Sequence, residues 1–260
     1  MGVQLAFLGT GTSNATRKGP PALAFSNGEE VVAVDFGGGA YHQLVRLGSD
    51  AFNYKNLSTI IITHFHNDHV SGLPDLFWGE MFDVSGRRET PLTLVGPHGL
   101  SNFYQDRLMP FLGGYPIPFE VRLVELANDE QHAGSFYSAR AVHLEHVEFS
   151  NGYRFSFDGA ELAVTGDTSL CDNLYGLLRG CDAAVLEWAL PAPGVFPGHL
   201  SNEDMARLIA ADALPGRVYV THVYPVGAGD FEAHVDVRRR ILGDAAARFV
   251  FPDDLQVFEL

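Results

Sequence analysis

Cysteines, basic residues and long apolar runs are all scarce in this chain, and each scarcity argues against a class of protein. Only two cysteines occur among 260 residues, and without CxxC spacing they predict reduced thiols rather than a disulfide framework. Lysine and arginine number 17 against 32 acidic residues, whereas proteins that hold long nucleic acids usually present a basic face. No apolar run approaches the roughly 20 residues of a membrane helix, and the N-terminus lacks a signal-peptide pattern. We therefore expect a cytoplasmic protein that binds neither a membrane nor a long nucleic acid.

The chain also lacks linkers and repeats, so we predict a single domain over residues 1–260. Strand patterns, which include Arg217–Thr221, alternate with helical patterns in both halves. The helical patterns include Ala40–Leu47, closed by Gly48, the segment Leu100–Met109, and a helix from about Met205 to Ala211 behind the cap Ser201. Strands in two groups with interspersed helices favour two sheets packed face to face with helices outside.

The most informative segment is the run His64-Phe65-His66-Asn67-Asp68-His69, which follows the β-branched stretch Leu57–Thr63. Imidazole nitrogen and carboxylate oxygen are ligands that zinc prefers, and a catalytic zinc site needs them crowded around an open position. A solvated surface patch is the alternative, but a strand leads into the run and a Gly-Leu-Pro turn follows it. The run therefore predicts a metal site.

This HxHxDH spacing resembles the first motif of the metallo-β-lactamase superfamily, and further motifs follow in the order of that superfamily. They are Gly152-Tyr153-Arg154, Gly166-Asp167-Thr168, Gly198-His199-Leu200-Ser201 and Thr221-His222, after Leu8-Gly9-Thr10-Gly11 near the start. The set is similar to the ribonuclease Z-like phosphodiesterase branch. The resemblance implies an α/β (α+β) fold, the αββα sandwich of two packed mixed sheets with helices on the outer faces.

The resemblance also implies a ligand set for two divalent metal ions. One ion would be bound by His64, His66 and His146, the other by Asp68, His69 and His222, with Asp167 bridging. The branch places its third histidine six residues before the Gly-Tyr-Arg element, which selects His146; His143 stays the alternative ligand or a partner of the ligands. Zinc is favoured, with manganese or iron as alternatives, because sites of histidine and aspartate accept all three metals.

Three residues take catalytic roles if the resemblance holds. Asp68 would position the attacking metal-bound hydroxide, His199 would assist departure of the alkoxide, and Glu187 would orient His199. The alternative for His199 is a helix flank without chemistry, and for Glu187 a structural buried carboxylate. Asp35 matches a family aspartate that organises the ligands without binding metal.

The implied function is that of a dinuclear metal-dependent hydrolase, with a phosphodiesterase favoured. The tRNA 3′-processing members carry a long Gly/Pro-rich arm between the Gly-Tyr-Arg and Gly-Asp-Thr elements, whereas here Arg154 is soon followed by Thr165. We therefore expect a small anionic phosphodiester as substrate: a cyclic nucleotide, a cyclic phosphate or a short oligonucleotide. One alternative is hydrolysis of a lactone, thioester, β-lactam or sulfate ester; another is tRNA 3′-end cleavage, which the missing arm disfavours. The resemblance leaves a homodimer open.

Overall fold

The computed structural model of the protein describes residues 2–14, 17–193, 195, 197–224 and 231–260, without the side chains of residues 231–234. Its strands, in chain order, are β1 (Gln4–Gly9), β2 (Ala22–Ser26), β3 (Val31–Val34), β4 (Leu57–Ile61), β5 (Leu92–Gly96), β6 (Val121–Glu125), β7 (Gln131–Ala133), β8 (Ser138–His143), β9 (Asn151–Phe157), β10 (Ala160–Val164), β11 (Ala183–Glu187), β12 (Arg217–Thr221), β13 (Phe249–Val250) and β14 (Val257–Glu259). Its α-helices are α1 (Ala40–Leu47), α2 (Asn67–Val70), α3 (Leu73–Phe82), α4 (Leu100–Phe103), α5 (Met109–Phe111), α6 (Asp172–Leu178), α7 (Asn202–Ala210) and α8 (Phe231–Leu242). A π-helical turn, Tyr104–Leu108, joins α4 to α5, and 3₁₀ turns span Tyr54–Asn56 and Gly243–Arg248.

The structure divides into two compact units, each with a sheet of its own. The first unit comprises Met1–Gly9, Gly19–Leu126 and Asp254–Leu260, and the second comprises Thr10–Lys18 and Ala127–Asp253. The single domain over residues 1–260 stays a prediction.

The first unit contains a seven-stranded mixed sheet in the order β14-β1-β2-β3-β4-β5-β6. The strands from β14 to β3 pair antiparallel, and those from β3 to β6 pair parallel. Apolar side chains of these strands and of α1 and α3 form its core, which includes Leu44, Leu76 and Phe77. Gly37 and Gly72 allow a close approach of backbones beside the metal motif. A Cβ on Gly37 would lie 2.3 Å from the carbonyl oxygen of Asp68, and a Cβ on Gly72 would lie 2.3 Å from the carbonyl oxygen of Gly37.

The second unit contains another seven-stranded mixed sheet, in the order β13-β12-β11-β10-β9-β8-β7. Strands β7 to β10 pair antiparallel and β10 to β13 pair parallel. Strands β9 and β10 are joined directly, with Phe157 opposite Ala160 and Gly159 at φ 87° in the turn. The core of this unit gathers apolar residues of β10 to β12 and of α6 and α7, including Trp188 and Met205.

The parallel strands of each sheet deliver the polar residues singled out in the sequence. In the first unit, Asp35 and the run from His64 follow the carboxyl ends of β3 and β4; in the second, Glu187 ends β11, while Asp167 and His222 follow β10 and β12. The carboxyl ends of neighbouring parallel strands lie at one edge of a sheet, which is where open α/β sheets place their ligands. Within each unit, the topology therefore brings these side chains to a common edge.

Several predicted elements are confirmed and others differ at their ends. Helix α1 and strand β12 have the predicted bounds. Gly48 has a left-handed backbone at the end of α1. Helix α7 begins at Asn202 rather than near Met205, because Ser201 caps it through a reciprocal pair of hydrogen bonds with Asp204. None of the helices in the described part of the chain has the length and apolar content needed to span a bilayer.

Candidate functional site

In the first unit, the buried carboxylate of Asp35 is the centre of a hydrogen-bond network that holds two of the predicted ligands. Its Oδ1 accepts the backbone N–H of Thr63 at 2.8 Å, and its Oδ2 accepts the Thr63 hydroxyl at 2.9 Å. The Nδ1 atom of His69 lies 2.7 Å from Oδ2, and the Nδ1 atom of His64 lies 3.0 Å from the Thr63 hydroxyl oxygen. Asp35 thus acts on His69 directly and on His64 through Thr63.

This network fixes which nitrogen of each imidazole carries the proton. A carboxylate only accepts, so Nδ1 of His69 must donate. The Thr63 hydroxyl donates its hydrogen to Asp35, so its oxygen accepts a hydrogen bond from Nδ1 of His64. In both rings the lone pair is then on Nε2, the arrangement in which metal-binding histidines are oriented by a partner at the other nitrogen.

His66 and Asp68 lie beside these two histidines on the loop and the short helix α2. The ring centroids of His64 and His66 are 4.6 Å apart, and those of His64 and His69 are 4.1 Å apart. Asp68 is in the first turn of α2 and is 9% exposed. The first unit therefore crowds three imidazoles and a carboxylate into one small region, as the sequence predicts.

In the second unit, the buried carboxylate of Asp167 lies among three histidines. Its Oδ2 is 3.4 Å from Nε2 of His222, 3.7 Å from Nε2 of His146 and 3.9 Å from Nδ1 of His199. These distances exceed the 2.7–3.2 Å of a direct N–H···O hydrogen bond. Two ligands bound to one zinc at about 2.0–2.2 Å in a tetrahedral arrangement are roughly 3.3–3.6 Å apart. The 3.4 Å between Asp167 and His222 lies within this range and the 3.7 Å between Asp167 and His146 lies just above it, so both are close to the spacing of ligands that share an ion.

His146 is held in place by a residue that the sequence does not single out for this purpose. Its Nδ1 donates to the carbonyl oxygen of Gly198 at 2.7 Å, which leaves the lone pair on Nε2, the atom that faces Asp167. Gly198 has φ 88°, and a Cβ there would lie 2.5 Å from Nδ1 of His146. His143 instead ends β8 with an exposed side chain, and its backbone bonds to Asn128 and Asn173. The structure thus places His146, and not His143, beside Asp167.

Glu187 and His199 form a buried pair. The Oε1 atom of Glu187 accepts from Nδ1 of His199 at 3.0 Å and from the backbone N–H of Thr168 at 2.9 Å, and its Oε2 accepts the N–H of Ala189 at 3.1 Å. Burial raises the pKa of the Glu187 carboxyl above its ordinary value, while the hydrogen bond from His199 lowers it in part. The three donated bonds orient Glu187 as an acceptor, so it holds His199 with Nδ1 protonated.

Left-handed backbone occurs at a candidate ligand in the second unit and at the residue that holds candidate ligands in the first unit. Among the described residues, five that are not glycine have a positive φ, and they include Asp35 at 53° and His222 at 57°. Such conformations cost free energy and persist where surrounding structure imposes them, often at functional sites. The N–H of His222 donates to the carbonyl oxygen of Thr10 at 3.0 Å, which helps to hold its backbone.

Three contributors have little signal in the sequence. Thr63 is an ordinary strand-end residue, and only its contacts with Asp35 and His64 mark it. Gly198 lies inside a motif, yet its carbonyl contact with His146 depends on residues 52 positions apart. Arg238 is buried; its Nη2 donates to the carbonyl oxygens that follow Glu187, those of Trp188 and Ala189, at 3.0 Å each, and burial lowers its pKa to about 10.

The chain is similar to several known proteins. A ribonuclease Z of Methanosarcina mazei is 36% identical over 152 residues, covering 58% of this chain and 47% of that protein. The chain thus spans about half the length of this curated relative. The metallo-β-lactamase fold protein YhfI from Bacillus subtilis superposes with a TM-score of 0.80 at 17% identity over 99% of this chain and 98% of its own. A diphosphatase of the PhnP family superposes with a TM-score of 0.73 at 20% identity over 99% of this chain and 98% of its own.

The structural likenesses confirm the predicted fold class, the metallo-β-lactamase fold with its two mixed sheets and helices. The family model described as the β-lactamase superfamily domain matches residues 39–223, which is more than half of the chain. This protein belongs to the β-lactamase superfamily.

Proposed function

We propose that the protein is a dinuclear metal-dependent hydrolase that cleaves a small phosphodiester. The observation that carries the proposal is the carboxylate of Asp167, whose Oδ2 lies 3.4–3.7 Å from Nε2 of both His222 and His146. Orientation of His146, His64 and His69 through their Nδ1 atoms supports it. The proposed ligands are His64, His66 and His146 for one ion, Asp68, His69 and His222 for the other, and Asp167 for both.

Two divalent ions, with zinc favoured, would supply Lewis-acid activation of water and of the phosphoryl oxygen. The protein's own part is to place the groups that handle protons. Glu187 holds the Nδ1–H of His199 at 3.0 Å, so the imidazolium form of His199, which carries a second proton on Nε2, would give that second proton to the leaving alkoxide and keep the one on Nδ1. Asp68, in the first turn of α2, would orient the attacking water.

Cleavage at phosphorus is favoured over other hydrolyses by the proteins that this chain resembles. One is named a ribonuclease Z and another a diphosphatase. The tight turn between β9 and β10, with Phe157 opposite Ala160, supports a small substrate, because an inserted arm would have to lie between Gly152-Tyr153-Arg154 and Gly166-Asp167-Thr168. Cleavage of a lactone, thioester, β-lactam or sulfate ester is the second candidate, since the same ligand set serves any of these electrophiles.

Steady-state hydrolysis of bis-(p-nitrophenyl) phosphate tests the proposal directly. Protein reconstituted with Zn²⁺ or Mn²⁺ is expected to hydrolyse the ester, and protein stripped by a chelator is expected to lose the rate and to regain it when metal is restored. Absence of a rate in protein that binds stoichiometric metal would contradict the phosphodiesterase and favour the second candidate.

Two substitutions separate a ligand from a proton donor. Asp167→Ala is expected to remove bound metal and activity together, whereas His199→Ala is expected to retain metal and to lose about 10²–10⁴-fold in rate, the usual contribution of a general acid. His42→Ala is the matched control, because the side chain of His42 is 70% exposed at the surface of the first unit. Full activity of His199→Ala would refute its assigned role.

A further inference from the structure

A groove in the first unit opens beside the metal motif and has the size of a ligand site. Its cavity volume is about 550 Å³, within the range typical of small-molecule pockets. Its lining includes His66 and Asn67 of the metal motif together with Phe65, Phe103, Arg107, Leu108 and Phe111. A predicted metal ligand and an apolar surface therefore share one cavity.

The walls of this groove are aromatic. Phe65, which stands between His64 and His66 in the chain, stacks on Phe103 with ring centroids 5.0 Å apart and planes inclined by 13°. Phe111, from α5, is 72% exposed, so most of its ring is accessible to a ligand. The stacked pair and the exposed ring offer flat surfaces suited to a planar group.

An irregular helix forms one side of the groove. Between α4 and α5 the chain makes the π-helical turn Tyr104–Leu108, in which the N–H of Met109 reaches the carbonyl oxygen of Tyr104. Pro110 follows, and a proline inside a helix clashes with the carbonyl four residues earlier, which the wider turn accommodates. Single π-helical turns are frequent at functional sites.

The same turn presents a cation. Arg107 is exposed, lines the groove and, within the described part of the chain, forms no ion pair with a carboxylate. The protein has a formal net charge of −15, so the guanidinium of Arg107 places a positive charge beside the aromatic groove of a negatively charged protein. Its guanidinium matches the geometry of a phosphate.

We propose that this groove binds the nucleoside that adjoins the scissile phosphodiester, with the base on Phe111 and Phe65 and a second phosphate of that nucleoside at Arg107. The substrate class is thereby a nucleotide ester with a further phosphate, such as a short oligonucleotide, rather than a cyclic nucleotide. The part of this inference that concerns cleavage rests on the proposed phosphodiester hydrolysis. The part that concerns nucleoside binding rests on the groove alone. Base stacking on aromatic side chains does not depend on the sequence of the nucleotide.

A series of three chromogenic esters measures the two contacts separately. Methyl p-nitrophenyl phosphate has no base, thymidine 5′-(p-nitrophenyl phosphate) adds the nucleoside, and its 3′-phosphorylated form adds the second phosphate. All three release p-nitrophenolate, so differences in kcat/KM report on binding of the added group. For the metal-loaded enzyme we expect the nucleoside to raise kcat/KM about tenfold and the 3′-phosphate to raise it about tenfold again.

Two exposed substitutions assign these gains to residues. Phe111→Ala is expected to abolish the gain from the nucleoside, and Arg107→Ala the gain from the 3′-phosphate, while both keep the rate on the methyl ester. The controls are Phe82→Ala and Arg46→Ala, which remove an aromatic ring that is 51% exposed and an exposed arginine outside the groove. These controls are expected to leave both gains unchanged.

The outcomes distinguish this inference from the proposed function. Hydrolysis of the methyl ester with no gain from either added group would overturn the inference and leave the phosphodiesterase standing. If none of the esters is hydrolysed, the proposed phosphodiesterase activity is refuted. Calorimetric titration with thymidine 3′,5′-bisphosphate then still tests whether the groove binds a nucleotide. Binding that weakens about tenfold in Arg107→Ala would support the groove in that case, and equal binding by the variant and the wild type would refute it.

Discussion

Replacing Asp35 with asparagine removes the negative charge from the centre of the hydrogen-bond network in the first unit and changes little else. Asparagine has nearly the same shape, and it tolerates the left-handed backbone that this position requires, at φ 53°. The carboxylate accepts three hydrogen bonds, two from Thr63 and one from His69. An amide offers one oxygen, so at least one of the N–H donors must lose its acceptor whichever way the amide turns.

The magnitude follows from the number and kind of bonds lost. A buried donor left without an acceptor costs about 1–3 kcal/mol, and the bond from His69 is the shortest of the three at 2.7 Å. Loss of a partner that orients a metal-binding histidine typically weakens metal binding 10–100-fold, which corresponds to about 1.4–2.8 kcal/mol. The two estimates agree, and we expect Asp35→Asn to lose metal affinity in this range and to unfold at a lower temperature.

Competition with a chromogenic chelator measures the affinity, and circular dichroism measures the unfolding temperature. The matched control is Asp129→Asn, because Asp129 also has a left-handed backbone, at φ 67°, but is exposed, and its carboxylate contacts Arg140 and Asn128 at the surface. The control is expected to change stability by less than about 0.5 kcal/mol. Metal affinity and unfolding temperature of Asp35→Asn that both equal those of the wild type would refute the placement of Asp35 at the centre of this network.

Three further substitutions test other parts of the structure. Glu80 is fully buried, with Nη1 of Arg88 3.8 Å from its carboxylate, and burial raises the pKa of its carboxyl. The folded state therefore binds the Glu80 proton more tightly than the unfolded state does. The stabilisation from this proton is complete below the unfolded pKa of about 4.5 and is lost as the pH rises through the folded pKa. Glu80→Gln should thus gain stability relative to the wild type as the pH rises from about 4.5, and a difference in unfolding free energy that is constant between pH 4 and pH 8 would contradict this. Arg238→Lys should cost about 1–3 kcal/mol in urea unfolding, because the lysine side chain is one bond shorter and does not carry its ammonium to the position from which Nη2 reaches both backbone carbonyls. Gly198→Ala should weaken metal binding, since its Cβ would lie 2.5 Å from Nδ1 of His146, and unchanged metal affinity would show that the contact is not needed.

Local pattern alone predicts several elements and a metal site at the run from His64 to His69, whereas the full set of candidate ligands comes from the resemblance to the superfamily. Helix α1 and strand β12 have the bounds that apolar periodicity and the Gly48 cap predict. The run from His64 stands out because its imidazoles and carboxylate are adjacent in the chain and directly follow a strand, so their chemistry and their placement are both local properties.

Other elements could not be predicted from local pattern. The segment Leu100–Met109 has the apolar pattern of a regular helix, yet the structure contains a π-helical turn there, because Pro110 conflicts with regular hydrogen bonding. The sequence pattern predicts the start of α7 three residues late, since the reciprocal cap of Ser201 and Asp204 allows the helix to begin at Asn202.

The order and the type of the candidate ligands were thus determined by the sequence, and their orientation was determined only by the tertiary structure. Asp35 and His69 are 34 residues apart, and His146 and Gly198 are 52 apart. Which nitrogen of an imidazole carries the proton depends on the partner that the fold places at the other nitrogen. That partner is set by which strands lie side by side in each sheet, a property of the whole sheet that no local stretch of sequence contains.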